Sequence, residues 1–378
     1  MNARLIWTRI CRPISLWLFP VLAVLAASRL GVALTVRFAF HHLPPPLMST
    51  ASCGYPPWIC WDAFYYLTIA TAGYADSSFT AFFPLYPLLG FSLSVLTGMP
   101  SAISLLVVSN ACFVAAGIVL FRLMEKEFSA EAAFFSVASI SFCPPTVFFS
   151  AAYPESLFLL LCLTCFSFLR TGRLSYAALA AGLASGTRPF GLILALPVVL
   201  HSFLSSRKSF LRTCLHSVTS GLVSLLGLIC YMLYLTIRFN DPFLFASASN
   251  LWNRFEPSSY ESYLPWELAR ATLASRSTEF ILGGAFFVIF ILISSYGARY
   301  LPARYTAFSL AAFGILYWRA PALLFQSYPR YVFEMVPIHM TIGIILARYY
   351  RYSVALIAFV AALSTFWTAL YIRGYFVR

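Results

Sequence analysis

Three stretches of this chain contain no Asp, Glu, Lys or Arg: residues 214–237, 280–298 and 353–372. A helix needs roughly 20 mostly apolar residues to cross the hydrocarbon core of a bilayer. Inside that core every backbone amide and carbonyl must find its partner within the protein, which leaves helices and closed barrels. The two-residue alternation of barrel strands is absent, so the runs read as helices. Hydrophobic residues make up 61% of the 378 and charged residues 10%, a balance outside that of a soluble globule. The expectation is an all-α polytopic membrane protein: one integral domain over residues 1–378, with about eleven crossings.

The basic residues set the orientation. The net charge of +13 resides largely in short loops between apolar runs, where it marks the inner side, and forms no stripe suited to nucleic acid. Arg4, Arg9 and Arg12 precede a first span at about 14–40, too long for a signal-peptide core and without a small-x-small cleavage site, so it reads as retained with its N-terminus inside. A polar, aromatic outer loop with interfacial helices follows at about 41–98, its last apolar stretch broken by Pro84 and Pro87. The remaining spans fall within about 101–372: 101–121, 130–149, 157–169, 214–237, 279–298, 305–318, 331–347 and 353–372. Residues 174–206 lie between two inner clusters, Arg170/Arg173 and Arg207/Lys208/Arg212. An even number of crossings is required there, and two short ones meeting near Gly186-Thr187-Arg188-Pro189 suit the length. A second outer loop, about 239–277, holds Asn240-Asp241-Pro242 and Trp252-Asn253-Arg254.

Acids are scarce, 12 in all, so their placement carries information. Asp62 sits in Trp58-Ile59-Cys60-Trp61-Asp62-Ala63-Phe64-Tyr65-Tyr66, just after the first span. On the topology above, Asp62, Glu155, Arg188 and Arg330 all reach the outer face. Two guanidiniums can fork onto a phosphate and stabilise it as it leaves. A carboxylate beside an acceptor hydroxyl can take its proton as an anomeric carbon is attacked. That set suits transfer of a sugar from a lipid phosphate, with Asp62 as the catalytic base and Trp61, Tyr86, Glu155, Arg188 and Arg330 against the substrates. Each residue also has a plainer reading. Asp62 and Glu155 can cap helices; Arg188 can snorkel to headgroups; Trp61, Tyr65, Tyr66 and Tyr86 can form an interfacial belt. His339, inside an apolar run, reads as a packed helix residue.

No Gly-rich phosphate loop occurs, and the five His residues make no metal-binding helical pair, so neither a metal nor another cofactor is expected. Cys162 and Cys165 form a C-x-x-C on a lipid-embedded helix with no further ligand, and read as packing residues with Cys112, Cys143, Cys214 and Cys230. Cys53 and Cys60 lie in the first outer loop, either bridged, which would brace Asp62, or as two free thiols.

The run from Trp61 through Gly73-Tyr74, followed by Ala81-Phe82-Phe83-Pro84-Leu85-Tyr86-Pro87-Leu88, resembles the PIG-V-type mannosyltransferases. Further segments resemble them in the same order: Leu106-Val107-Val108-Ser109-Asn110, Phe148-Phe149-Ser150-Ala151-Ala152-Tyr153-Pro154-Glu155-Ser156, Thr187-Arg188-Pro189-Phe190-Gly191 and Ser327-Tyr328-Pro329-Arg330-Tyr331. Together they span most of residues 58–340, and Thr-Arg-Pro together with the compact length is more similar to bacterial members. The resemblance implies a GT-C glycosyltransferase fold and an inverting transfer of a hexose, mannose in the family, from a polyprenyl- or dolichyl-phosphate-sugar. The partners it implies are that donor, membrane lipids and a glycolipid or other lipid-linked acceptor, which in the eukaryotic family is the GPI-anchor precursor receiving its second mannose. It places the chain in the bacterial cytoplasmic membrane or, in a eukaryote, the endoplasmic reticulum membrane. Where the family carries Tyr-Ser-Glu-Ser, this chain has Tyr153-Pro154-Glu155-Ser156, and the proline removes one backbone donor.

Two rival classes share the composition. A lipid or lipid-linked-sugar flippase would also have many spans and scattered arginines, but would more often carry charge at mid-membrane and related halves. A structural subunit has no need of acids gathered on one face.

Overall fold

Proline and glycine decide where the apolar runs break. The computed structural model describes residues 14–44, 57–205, 210–250, 263–276, 278–323, 325 and 327–373. Among them are seventeen α-helices, three short 3-10 turns and no strand. The first third carries α1 (Ile14–His42), α2 (Asp62–Ala72), α3 (Leu85–Thr97), α4 (Ser101–Glu127) and α5 (Ala130–Phe142). The centre carries α6 (Glu155–Arg170), α7 (Leu174–Ser185), α8 (Ala195–Ser205), α9 (Phe210–Ser224), α10 (Leu226–Phe239) and α11 (Leu244–Asn250). The last part carries α12 (Pro265–Ala274), α13 (Thr278–Gly297), α14 (Ala303–Leu323), α15 (Tyr328–Phe333), α16 (Val336–Arg348) and α17 (Tyr350–Ile372).

Among the described residues four helices are long and apolar enough to cross a bilayer: α1 from Trp17, α4, α13 from Phe280, and α17. A fifth crossing is made if α9 and α10, bent by 56°, count as one broken span. Several other expected crossings are shorter apolar helices, because Pro144 and Pro145 follow α5, Pro189 opens a 3-10 turn after α7, and Pro337 opens α16. Large apolar side chains cover the outside; Leu96, Ile237 and Val354 are each more than 70% exposed. On a soluble surface such a belt would be a liability, whereas against lipid it is the matching solvent. The chain is an integral membrane protein.

The long helix α4 is the central post, packed by α1, α3, α5 and α6, while α16 lies along α5 and α17 along α1. Close approach is bought by glycine at two places: a Cβ on Gly343 of α16 would stand 2.5 Å from the Ala132 carbonyl of α5, and one on Gly227 of α10 2.5 Å from the Gly186 amide. Two charged clusters sit at opposite ends of α6. Glu155 opens the helix and Arg170 closes it, about 22 Å away at 1.5 Å per residue. At the Arg170 end, Glu127 of α4 pairs with Arg304 and Arg170 and accepts from the Tyr305 hydroxyl. The Glu155 end is the candidate site.

His339 is fully buried, bonded through Nδ1 to Ser139 and through Nε2 to the Phe333 carbonyl, as a packed residue should be. Cys162 and Cys165 are buried free thiols. Cys60 is disulfide-bonded. Cys53, the N-terminal arginines, Arg207, Lys208 and residues 252–254 lie outside the described residues.

Candidate active site

Four separate pieces of chain supply the site. Asp62 is the first residue of α2, with Trp61, not Asp62, in the N-cap position. Glu155 likewise opens α6 behind Pro154. The positive end of a helix favours a carboxylate at each place. Arg188 lies in the turn after α7 with an extended backbone, directly before the 3-10 turn Pro189–Leu194. Arg330 stands in the middle of the short helix α15.

The fold brings all four together as an alternating ladder of charge. Arg330 Nη1 meets Asp62 Oδ2 at 2.8 Å, and its Nε meets Glu155 Oε1 at 2.7 Å. The same Glu155 oxygen lies 3.2 Å from Arg188 Nη1. Arg188 Nη1 also pairs with Glu334 Oε1, a fifth member absent from the sequence expectations. Glu155, Arg188, Arg330 and Glu334 are buried; only Asp62, with 16% of its side chain exposed, opens toward solvent. Transfer of such charges from water costs several kcal/mol per ion, so the pairing is what allows them to be there.

Aromatic rings wall the guanidiniums. Arg330 lies 5.1–5.4 Å from the ring centres of Tyr153, Phe148 and Tyr331, and Arg188 lies 5.5 Å from Tyr331 and 5.9 Å from Phe158. The chain just before Asp62 is pinned from two sides, since the hydroxyls of Tyr153 and Tyr371 both donate to the Cys60 carbonyl, at 3.1 and 3.2 Å. Trp61 itself sits at φ 58, and Ser327, just ahead of α15, at φ 65. Non-glycine residues rarely adopt such angles, and here they introduce the two helices that carry Asp62 and Arg330.

The two arginines are used differently. Arg330 commits both Nη1 and Nε to carboxylates. Arg188 uses Nη1 alone; among the described residues no hydrogen bond or ion pair engages its Nε or Nη2. Glu155 Oε2 is buried and accepts no hydrogen bond there either. Tyr86 is fully buried one layer back, its hydroxyl on the Leu105 carbonyl and Ser109, its ring edge-on to Tyr66. Trp61 is half-buried beside Asp62.

Sequence reasoning also passed over Arg29 of α1. Its guanidinium binds Ser28, Ser150 and Thr146 and lies 4.0 Å over the Phe113 ring, fixing the start of the 3-10 turn Thr146–Phe149. An apolar groove of about 510 Å³ runs beside the site between α2, α3, α7 and α10, lined by Gly73, Leu88, Phe91, Gly186, Cys230 and Tyr234 among others.

Among proteins of known fold, the chain is similar to ArnT from Cupriavidus metallidurans bound to undecaprenyl phosphate, with 13% identity, a TM-score of 0.50, and coverage of 94% of this chain and 76% of that one. It also matches the Archaeoglobus fulgidus oligosaccharyltransferase AglB in complex with an inhibitory peptide and a dolichol-phosphate, at 13% identity and a TM-score of 0.45, over 94% of this chain and 56% of that one. The ArnT likeness shows the fold alone: that of the GT-C glycosyltransferases. In sequence, the chain is 35% identical over 144 residues to human GPI alpha-1,6-mannosyltransferase 2, an alignment covering 35% of this chain and 29% of the relative, so it spans under a third of that protein's length. The family model Mannosyltransferase (PIG-V) matches residues 40–266, more than half of the chain, and this protein belongs to that family.

Proposed function

We propose that this protein is a glycosyltransferase that moves a hexose, mannose by its family, from a polyprenyl- or dolichyl-phosphate to a lipid-linked acceptor. The observation that carries the reading is the ladder: a solvent-reaching carboxylate, Asp62, held at 2.8 Å by a buried arginine, two charges away from a second arginine with an open edge. The Nε–Nη2 edge of Arg188 is a planar fork that suits two phosphate oxygens. Arg330 instead orients Asp62 and Glu155. Glu155 Oε2 is a buried acceptor placed for a sugar hydroxyl, since buried polar atoms are otherwise paired.

In the reaction Asp62 takes the proton of the acceptor hydroxyl as that oxygen attacks the anomeric carbon. The bond from the anomeric carbon to the phosphate oxygen breaks, and the lipid phosphate leaves with the electron pair, stabilised by Arg188. One displacement inverts the anomeric centre and forms no covalent enzyme intermediate. The isoprenoid chain of the donor is assigned to the apolar groove, whose lining includes Gly186, two residues before Arg188 in the chain. The human relative's name specifies a GPI alpha-1,6 mannosyl transfer, in keeping with a glycolipid acceptor, and the solved ArnT structure holds undecaprenyl phosphate, in keeping with a lipid-linked donor. The active face is extracytoplasmic, because the site lies a helix length from the Arg170/Arg304 cluster and basic residues favour the inner side.

The test is Asp62→Asn with radiolabelled dolichyl-phosphate-mannose and total membrane lipid as acceptor. A positioned base is worth about 10²–10⁴-fold, and turnover should fall by that order with the melting temperature in detergent reported alongside. Full transfer by the variant sinks the base assignment. Transbilayer movement of the labelled lipid without any sugar transfer, in the wild type, replaces this reading with the flippase.

A further inference from the structure

Glu334 has no place in the chemistry above, yet it is the most deeply enclosed acid of the ladder, with no exposed surface. It follows the last turn of α15 and sends Oε1 to Arg188 Nη1 across 146 residues of sequence. Its Oε2 is buried and accepts no hydrogen bond among the described residues, so Arg188 is the partner that accounts for its position. A second contact ties the same two segments: the Tyr331 ring stacks on Phe190 at 5.3 Å and 26°, two residues on from Arg188.

Geometry decides what this pairing does. Glu155 Oε1 and Glu334 Oε1 both approach one nitrogen, Nη1. An arginine held at a single nitrogen from two directions cannot swing about that contact, and its other edge points one way. Held by Glu155 alone, the guanidinium can pivot, and the planar fork is no longer aimed. We propose that Glu334 is a positioning residue: with Glu155 it clamps Nη1 of Arg188 and so presents the Nε–Nη2 edge to the phosphate of the lipid-linked donor. The inference rests on the reading of Arg188 as the phosphate ligand, and the experiment separates the two.

Farnesyl phosphate and farnesol serve as probes, identical but for the phosphate, with binding to the full-length protein in detergent measured by competition. The wild type binds farnesyl phosphate the more tightly. Glu334→Gln keeps the shape and removes the charge; it weakens farnesyl phosphate by about 10-fold, the low end of what loss of a hydrogen bond to a charged group costs, and leaves farnesol unchanged. Glu334→Asp restores part of the preference. Because Glu334 acts through Arg188, the double variant Arg188→Lys/Glu334→Gln binds farnesyl phosphate no more weakly than Arg188→Lys. A carboxylate that merely competed with the phosphate for Arg188 would give the opposite sign, tighter binding in Glu334→Gln. That result, or unchanged binding, overturns the proposal while leaving the phosphate site standing if Arg188→Lys is weakened. Wild-type binding by Arg188→Lys removes the phosphate site itself. A parallel loss for both probes, or failure of both Glu334 variants to fold, makes Glu334 a structural residue and also overturns the proposal.

Discussion

Arg330→Met is the most direct probe of the ladder, because it breaks the ion pair of Asp62 with Arg330 and removes one of the two arginines paired with Glu155. Unit charges 2.8 Å apart attract by roughly 6 kcal/mol at an effective dielectric constant of 20, before desolvation is counted. What is measured when one member of a buried pair is removed is smaller, about 3–5 kcal/mol, most of it the cost of the carboxylate left behind. Glu155 keeps Arg188 at 3.2 Å, so the loss in this variant falls mainly on Asp62, whose ion pair with Arg330 is broken. Asp62→Asn in the same chain removes the charge that has lost its arginine, and the double variant should be more stable than the sum of the two losses by about 2 kcal/mol, within the range found for contacting charges. Reversible unfolding in mixed micelles by increasing the fraction of sodium dodecyl sulfate, followed by far-ultraviolet circular dichroism, gives the four stabilities. Additive losses, within about 0.5 kcal/mol, would mean that Asp62 and Arg330 do not form the pair described, and the orientation of the base by Arg330 would fall with it.

Two further outcomes are expected. Asp76, exposed and capping the turn Ser77–Ala81 through the Ser78 amide at 2.7 Å, falls in the stretch 41–98 expected to form the outer loop; Asp76→Cys, with the exposed Cys230 changed to Ala, should react with an impermeant maleimide in intact cells, and reaction only after the membrane is opened would reverse the proposed orientation. Gly227→Ala places a methyl 2.5 Å from the Gly186 amide and should cost about 1–3 kcal/mol, lowering the melting temperature in detergent, while Gly314→Ala, with nothing within 4 Å, should not; equal melting of the two would show that α10 and the Gly186 turn are not in contact.

The sequence was most informative where charge is rare. Asp62, Glu155, Arg188 and Arg330 each stand out against apolar surroundings, and the orientation rule alone put them on one face before any contact was known. Which helices the acids begin was legible too, from the prolines and the change to apolar runs. The contacts between them were not, since pairings such as Arg330 with Asp62 join positions 268 residues apart and depend on packing. Glu334 escaped because it falls inside 331–347, which reads as a span. A signal was present all the same: it lies four residues after Arg330, one helical turn, and is an acid in an otherwise apolar run, where an ionisable group implies a partner. The break of 214–237 into α9 and α10 had no proline to announce it; the bend at Leu225 precedes Gly227, whose missing side chain lets α10 rest on the Gly186 turn.

The reach of the Arg330–Asp62 pair also sets a timetable. A ribosome adding about 5–20 residues per second needs roughly 15–50 s to travel the 268 residues between them. Through that interval the nascent chain carries Asp62 and then Glu155 in the translocation machinery without Arg330, and only Glu155 gains an arginine earlier, when Arg188 is made. Their charge must stay in water or be shielded by the insertion apparatus until the C-terminal helices emerge. Charge closure is therefore one of the last events of assembly, and a chain truncated before Arg330 presents its acids as a mark of incompleteness.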